Sequence, residues 1–92
     1  MKNGDVKEFV DGLYYGDERF FYYDGCKYFI QGYCESERPI LELYIIEPSD
    51  SDFVWRSISK NKSYPVSEFE NAPVFNGKTF WQVEQEIEWV DC

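Results

Sequence analysis

The feature that most constrains the fold of this chain is a two-residue turn, Asp24-Gly25, inside the run DERFFYYDGCKYFIQGY. Aromatic and β-branched residues, which favour strands, flank the turn on both sides. Asp-Gly accepts the positive φ angles that a two-residue hairpin loop requires. The pattern therefore predicts an antiparallel β-hairpin centred on this turn.

A two-residue loop also fixes which residues lie opposite each other in the hairpin. The pairs expected on one face are Tyr23 with Cys26, Phe21 with Tyr28, and Arg19 with Ile30. The pairs expected on the other face are Phe20 with Phe29, and Tyr22 with Lys27. The first face has fewer polar members, so we assign it to the core. Phe20, Tyr22 and Phe29 are then left on a face that is at best partly covered.

The other segments predict three helices and two more strands. Apolar residues at helical spacing predict a helix from residue 5 to about residue 13, with Asp5 at its N-terminus. The runs ILELYIIE, residues 40–47, and FVWRSI, residues 53–58, predict the third and fourth strands. A short helix is expected over residues 65–71, and Thr79 with Gln82 forms a capping-box pattern for a final helix.

Together these elements predict a single α+β domain over residues 1–92. Its expected architecture is an antiparallel β-meander of about four strands, packed against N-terminal and C-terminal helices. Ninety-two residues suffice for one domain with one core.

The chain closes on KTFWQVEQEIEWVDC, in which apolar residues and carboxylates both recur at helical spacing. The apolar stripe consists of Phe80, Val83, Ile87 and Val90. Three carboxylates, those of Glu84, Glu88 and Asp91, form a row beside the stripe, with Trp81 alongside. We expect this acidic ridge to contact a partner, with Trp81 as an anchor. The alternative is that the row is only the solvated face of a helix in an acidic protein.

The net charge indicates what kind of partner such a chain would meet. Eighteen Asp and Glu against nine Lys and Arg leave a formal charge of −9. That charge repels nucleic-acid phosphates and anionic membranes, so we expect no direct nucleic-acid or membrane binding. It attracts basic protein surfaces, including those that normally hold nucleic acid. The alternative is that the acidity serves solubility, with no charge-directed partner.

A different binding mode would use the aromatic residues of the sheet. Phe20, Tyr22, Phe29 and Tyr44 are the candidates for a face that stacks on a small ligand or a carbohydrate, provided that helices leave this face open.

Residue types also exclude several chemistries. The chain has no histidine, so the commonest general base and the commonest transition-metal ligand are missing. We therefore expect a non-enzymatic protein with no catalytic residues, no metal and no cofactor. Three cysteines without CxxC spacing and without a secretory signal favour reduced thiols and a cytoplasmic location.

Two segments, EFVDGLYYGDERFFYYDGCKYFIQGY and NAPVFNGKTFWQVEQEIEWVD, give a resemblance that covers about half of the chain. They resemble a group of short, acidic, uncharacterised proteins of Gram-positive gut bacteria and their mobile elements. The resemblance implies a shared fold and carries no catalytic residues. Small size, acidity and a mobile-element origin imply, by analogy, an inhibitor of a nucleic-acid-binding protein.

Overall fold

The computed structural model describes residues 1–48 and 53–91, except for the side chain of Phe53. The described elements, in chain order, are α1 Val6–Leu13, β1 Arg19–Tyr23, β2 Cys26–Glu35, β3 Arg38–Glu47, β4 Phe53–Ile58, α2 Val66–Asn71, α3 Phe80–Val83, a 3₁₀ turn Glu84–Glu86, and β5 Glu88–Val90. The strands form one antiparallel sheet in the order β4-β3-β2-β1-β5. The predicted α+β class and the β-meander are confirmed, and the sheet has one strand more than expected.

The hairpin of β1 and β2 has the predicted turn and register. Asp24 and Gly25 take φ angles of 51° and 78°, as a two-residue loop requires. All five predicted residue pairs are present, from Tyr23 opposite Cys26 to Arg19 opposite Ile30. Local turn chemistry is therefore sufficient to place every side chain of this hairpin on the correct face.

The core lies between one face of the sheet and the three helices. Helix α1 begins at the predicted cap, where the Asp5 carboxylate accepts a hydrogen bond from the Lys7 backbone N–H at 2.7 Å. Aromatic rings fill the space between the layers. Phe9 of α1 stacks on Phe80 of α3 with ring centroids 5.7 Å apart. Phe21, Tyr23, Tyr28 and Ile30 of the hairpin are buried in this core, as the assignment of the hairpin faces predicted, and Leu41 and Leu43 of β3 join them.

The prediction of a C-terminal helix is wrong beyond the first turn of that helix. The capping box of Thr79 and Gln82 is present, but α3 ends at Val83. After the 3₁₀ turn, β5 pairs antiparallel with β1, which would otherwise form an unpaired edge of the sheet. Residues 87–90 satisfy strand alternation as well as helical spacing, because Ile87 and Trp89 face the core while Glu88 and Val90 face away. Pairing with β1 decides between the two patterns.

Candidate functional site

The described helices all pack on one face of the sheet, and we call the opposite face the open face. Its members include, in strand order from β5 to β4, Glu88, Val90, Phe20, Tyr22, Lys27, Phe29, Gln31, Tyr33, Ile40, Glu42, Tyr44, Arg56 and Ile58. None of these residues belongs to the core cluster or packs against it. The residues predicted as a ligand face, Phe20, Tyr22, Phe29 and Tyr44, therefore all lie on one surface.

An aromatic row runs across the centre of the open face, and it consists of Phe20, Phe29 and Tyr44. The rings of Phe20 and Phe29 stack with centroids 4.8 Å apart, and those of Phe29 and Tyr44 lie 6.3 Å apart. Val90 of β5 lies opposite Phe20 and extends the row to a fourth strand. Register places these side chains in line, because directly opposed residues of antiparallel strands share a face. Each of the four is partly exposed to solvent.

Charged side chains border the aromatic row and are paired with each other. The Lys27 ammonium lies 5.6 Å from the Phe20 ring centroid and 5.7 Å from that of Tyr22. The same ammonium forms an ion pair with Glu47 at 3.6 Å. An apolar centre with a polar border is the anatomy of protein–protein interfaces.

Glu42 is the one carboxylate of the open face that is buried, with 6% of its surface exposed. It accepts hydrogen bonds from the Tyr44 hydroxyl at 2.9 Å and the Gln31 amide at 3.5 Å. Its other oxygen pairs with Arg56 Nε at 3.2 Å. Burial, followed by the hydrogen bond to Glu42, raises the pKa of the Tyr44 phenol. These contacts satisfy the carboxylate and hold Tyr44 at the end of the aromatic row.

The helix expected to carry the acidic ridge is not formed, because the ridge residues lie on α3, the 3₁₀ turn, β5 and the residue after β5. Glu84 forms an ion pair with the Met1 ammonium at 2.8 Å. Glu88 accepts a hydrogen bond from Asn3 at 2.7 Å. Both carboxylates therefore hold the N-terminal segment against the end of the chain. Asp91 is exposed beyond the end of β5.

Trp81, the predicted anchor of the ridge, points away from the core. Its ring is 47% exposed, and its indole N–H donates to the Glu70 carboxylate at 2.7 Å. This bond joins α3 to α2 on the outer side of the helical layer. Glu88 lies on β5, the strand that pairs with β1, and Asp91 follows that strand.

Six of the eleven described carboxylates that form no ion pair lie on or beside the helices. Within residues 1–48 and 53–91, the carboxylates with an ion-pair partner are Asp17, Glu35, Glu42, Glu47 and Glu84. The carboxylates on or beside the helices that form no ion pair in the same residues include Asp5, Glu8, Asp11, Glu68, Glu70 and Glu86. The open face is close to charge balance, so the two sides of the molecule differ in electrostatic potential.

The Glu42 network and the position of Val90 in the aromatic row were not predicted from the sequence. Alternation in ILELYIIE placed Glu42 and Tyr44 on the same side of β3, which was the available signal. The partners Gln31 and Arg56 follow only from the register of β2 and β4.

No helix among the described residues is long and apolar enough to span a membrane. The same residues contain no group of three or more His, Cys, Asp or Glu side chains that could hold a metal ion. Comparison with protein-family models, with curated proteins and with solved structures gave no match.

Proposed function

We propose that this chain is a non-enzymatic protein-interaction module that binds its partner through the open face of the sheet. The observation that carries the proposal is the aromatic row of Phe20, Phe29 and Tyr44, partly exposed and bordered by the Lys27–Glu47 pair. Aromatic residues dominate the energetics of interfaces, where rigid rings lose little conformational entropy on binding.

A protein fits this surface better than a small molecule does. The row crosses four neighbouring strands, from Val90 on β5 to Tyr44 on β3, so it forms a broad platform. Small-molecule sites are typically concave and enclose most of the ligand. The competing ligand is a carbohydrate that stacks on the same rings.

The net charge supports a partner protein with a basic surface. The formal charge of −9 attracts such a partner and accelerates the encounter. The aromatic row would then supply the contacts that determine how slowly the complex dissociates. In the more specific form of this proposal the partner is a nucleic-acid-binding protein, since the binding surface of such a protein is basic.

The test compares two double variants that each remove two aromatic rings. Phe20→Thr with Phe29→Thr removes the centre of the row while keeping residues that favour strands. Tyr14→Thr with Tyr15→Thr removes rings that are 50% and 81% exposed after α1, away from the open face. Each tagged protein, checked by circular dichroism, is used to capture proteins from a lysate of its host cell at low and high salt.

We expect a partner that the wild type and the Tyr14/Tyr15 variant retain and the Phe20/Phe29 variant loses. With the purified partner, raising the salt concentration should slow association strongly and change dissociation little. If the Phe20/Phe29 variant is unfolded, Phe29→Thr alone replaces it. Equal retention by both folded variants, or saturable binding of an oligosaccharide to the open face in place of a protein, would overturn the proposal.

A further inference from the structure

At the far end of β4 an apolar side chain lies among three cations. Ile58 is 46% exposed. It lines a cleft of about 740 Å³ together with Arg38, Lys60 and Lys62. None of these three cations forms an ion pair within the described part of the chain. Glu37 is the one carboxylate of the lining, so the cleft has a formal charge of +2 in a chain of −9.

The backbone at Ile58 lies at an open edge of the sheet, because β3 is the one neighbour of β4 among the described strands. The backbone N–H of Ser59 donates to the carbonyl of Pro39 at 2.8 Å, so Ser59 faces β3. Successive residues of an antiparallel strand direct their backbone groups alternately toward and away from a neighbour. The N–H and C=O of Ile58 therefore point outward, to the free side of β4.

The side chain of Ile58 adds an apolar surface next to this edge. It lies opposite Ile40, which is 1% exposed, and both residues line a second cleft of about 490 Å³ that adjoins the first. Arg38 and Ser36 line both clefts. The second cleft is also lined by Glu35 and Arg56, which pair with each other at 3.6 Å. An edge backbone group, an apolar contact and the cations Arg38, Lys60 and Lys62 thus lie at these two clefts, which share Ile58 and which we call the Ile58 cleft.

We propose that the Ile58 cleft binds an extended acidic peptide segment of a partner protein, in which carboxylates flank an apolar residue. The peptide would pair with the outward backbone groups of Ile58, as in the addition of a strand to a sheet edge. Its apolar residue would pack on the Ile58 side chain, and its carboxylates would meet Arg38, Lys60 and Lys62. This second site prefers an acidic ligand, whereas the protein as a whole attracts basic ones. It uses none of the residues of the aromatic row, so it does not depend on that row.

The probe is a short fluorescein-labelled peptide of alternating glutamate and valine, blocked at both ends. Its affinity is measured by fluorescence anisotropy for the wild type, for Lys60→Gln with Lys62→Gln, and for Ile58→Thr. The matched control is Lys7→Gln with Lys78→Gln, which changes the net charge equally at exposed positions elsewhere. Parallel titrations use a lysine–valine peptide, a glutamate–serine peptide, inorganic phosphate and single-stranded RNA.

We expect Lys60→Gln with Lys62→Gln to weaken binding of the glutamate–valine peptide by about three- to tenfold, because exposed charge pairs contribute modestly. Ile58→Thr should weaken it as well, the control should match the wild type, and the lysine–valine peptide should not bind. In ¹⁵N NMR spectra the Ile58 amide should shift on binding and become protected from exchange. The Phe20/Phe29 variant should bind this peptide normally, which separates failure of this proposal from failure of the proposed function.

Equal weakening by the two lysine double variants would assign the effect to net charge and overturn the proposal. If the glutamate–serine peptide binds as tightly as the glutamate–valine peptide, the apolar contact contributes nothing to binding. That result would overturn the proposal too. If phosphate or RNA binds more tightly than the glutamate–valine peptide, the cleft has a different ligand. If analytical ultracentrifugation shows self-association through β4, a second copy of the chain occupies the strand edge. Either result would also overturn it.

Discussion

Trp89 lies directly opposite Phe21 in the pairing of β5 with β1. The indole also meets the Phe9 ring edge-on with centroids 5.3 Å apart, and the Arg19 guanidinium lies 5.0 Å from its centroid. Through these contacts the last strand joins the core and covers the edge of the hairpin. Residues 88–90 are therefore part of the sheet, and Val90, opposite Phe20, lies on the open face.

Ile87→Ala should reduce the free energy of unfolding by about 2–4 kcal/mol, because Ile87 is fully buried between α3 and β5 and truncation leaves a cavity. Urea unfolding followed by fluorescence measures the change. Gln85→Ala, at an exposed position of the 3₁₀ turn, is the control and should stay within about 0.5 kcal/mol of the wild type. A loss below that level for Ile87→Ala would contradict the packing described for this segment.

Gly32→Ala should destabilise the fold by about 1–3 kcal/mol through crowding. A Cβ at Gly32 would lie 2.6 Å from the Gly16 Cα and 2.7 Å from the Tyr64 ring. Gly25→Ala is the comparison, because a Cβ there has open space and meets only the cost of a positive φ, about 1 kcal/mol. Denaturant unfolding should rank Gly32→Ala as the more damaging change. The reverse order would show that β2 does not approach Gly16 closely.

Glu42→Gln should lower the pKa of the Tyr44 phenol. The burial that raises this pKa remains in the variant, whereas the hydrogen bond to a charged carboxylate is lost, so the pKa should stay above its ordinary value. Titration of the Tyr44 ring signals by NMR measures the shift. Glu47→Gln, which removes a carboxylate paired with Lys27, should have a smaller effect on this phenol. An unchanged Tyr44 pKa in Glu42→Gln would contradict the network.

The free energy of unfolding should fall as the pH rises above about 10. Burial raises the pKa of the Tyr28 phenol, so this group holds its proton in the folded state after it has lost it in the unfolded state. The stability that it contributes is fully present below the unfolded pKa and is lost as the pH rises through the folded pKa. Tyr28→Phe keeps the stacking on Phe21, whose centroid lies 5.1 Å away, and should flatten the decline. Urea midpoints between pH 8 and pH 11 measure the slopes, and equal slopes would refute this assignment.

The amino-acid sequence by itself determined those elements whose geometry depends on neighbouring residues. Asp24-Gly25 sets the hairpin register because a two-residue loop leaves no freedom to slip, and the register then assigns Phe21 to the core and Phe29 to the open face. Asp5 likewise marks the start of α1, since its carboxylate satisfies a backbone N–H of the first turn. These interactions span few residues, so they can be recognised without the rest of the molecule.

Only the tertiary structure decided how the chain ends and which residues share the open face. Val83, Ile87 and Val90 fit a helix, and residues 87–90 also fit a strand, so local preference leaves both possible. The backbone groups at the free edge of β1 select the strand, which divides the predicted acidic ridge and places Val90 beside Phe20. The contact between Glu42 and Arg56 depends in the same way on the pairing of β3 with β4, a relationship between distant segments that neither segment specifies alone.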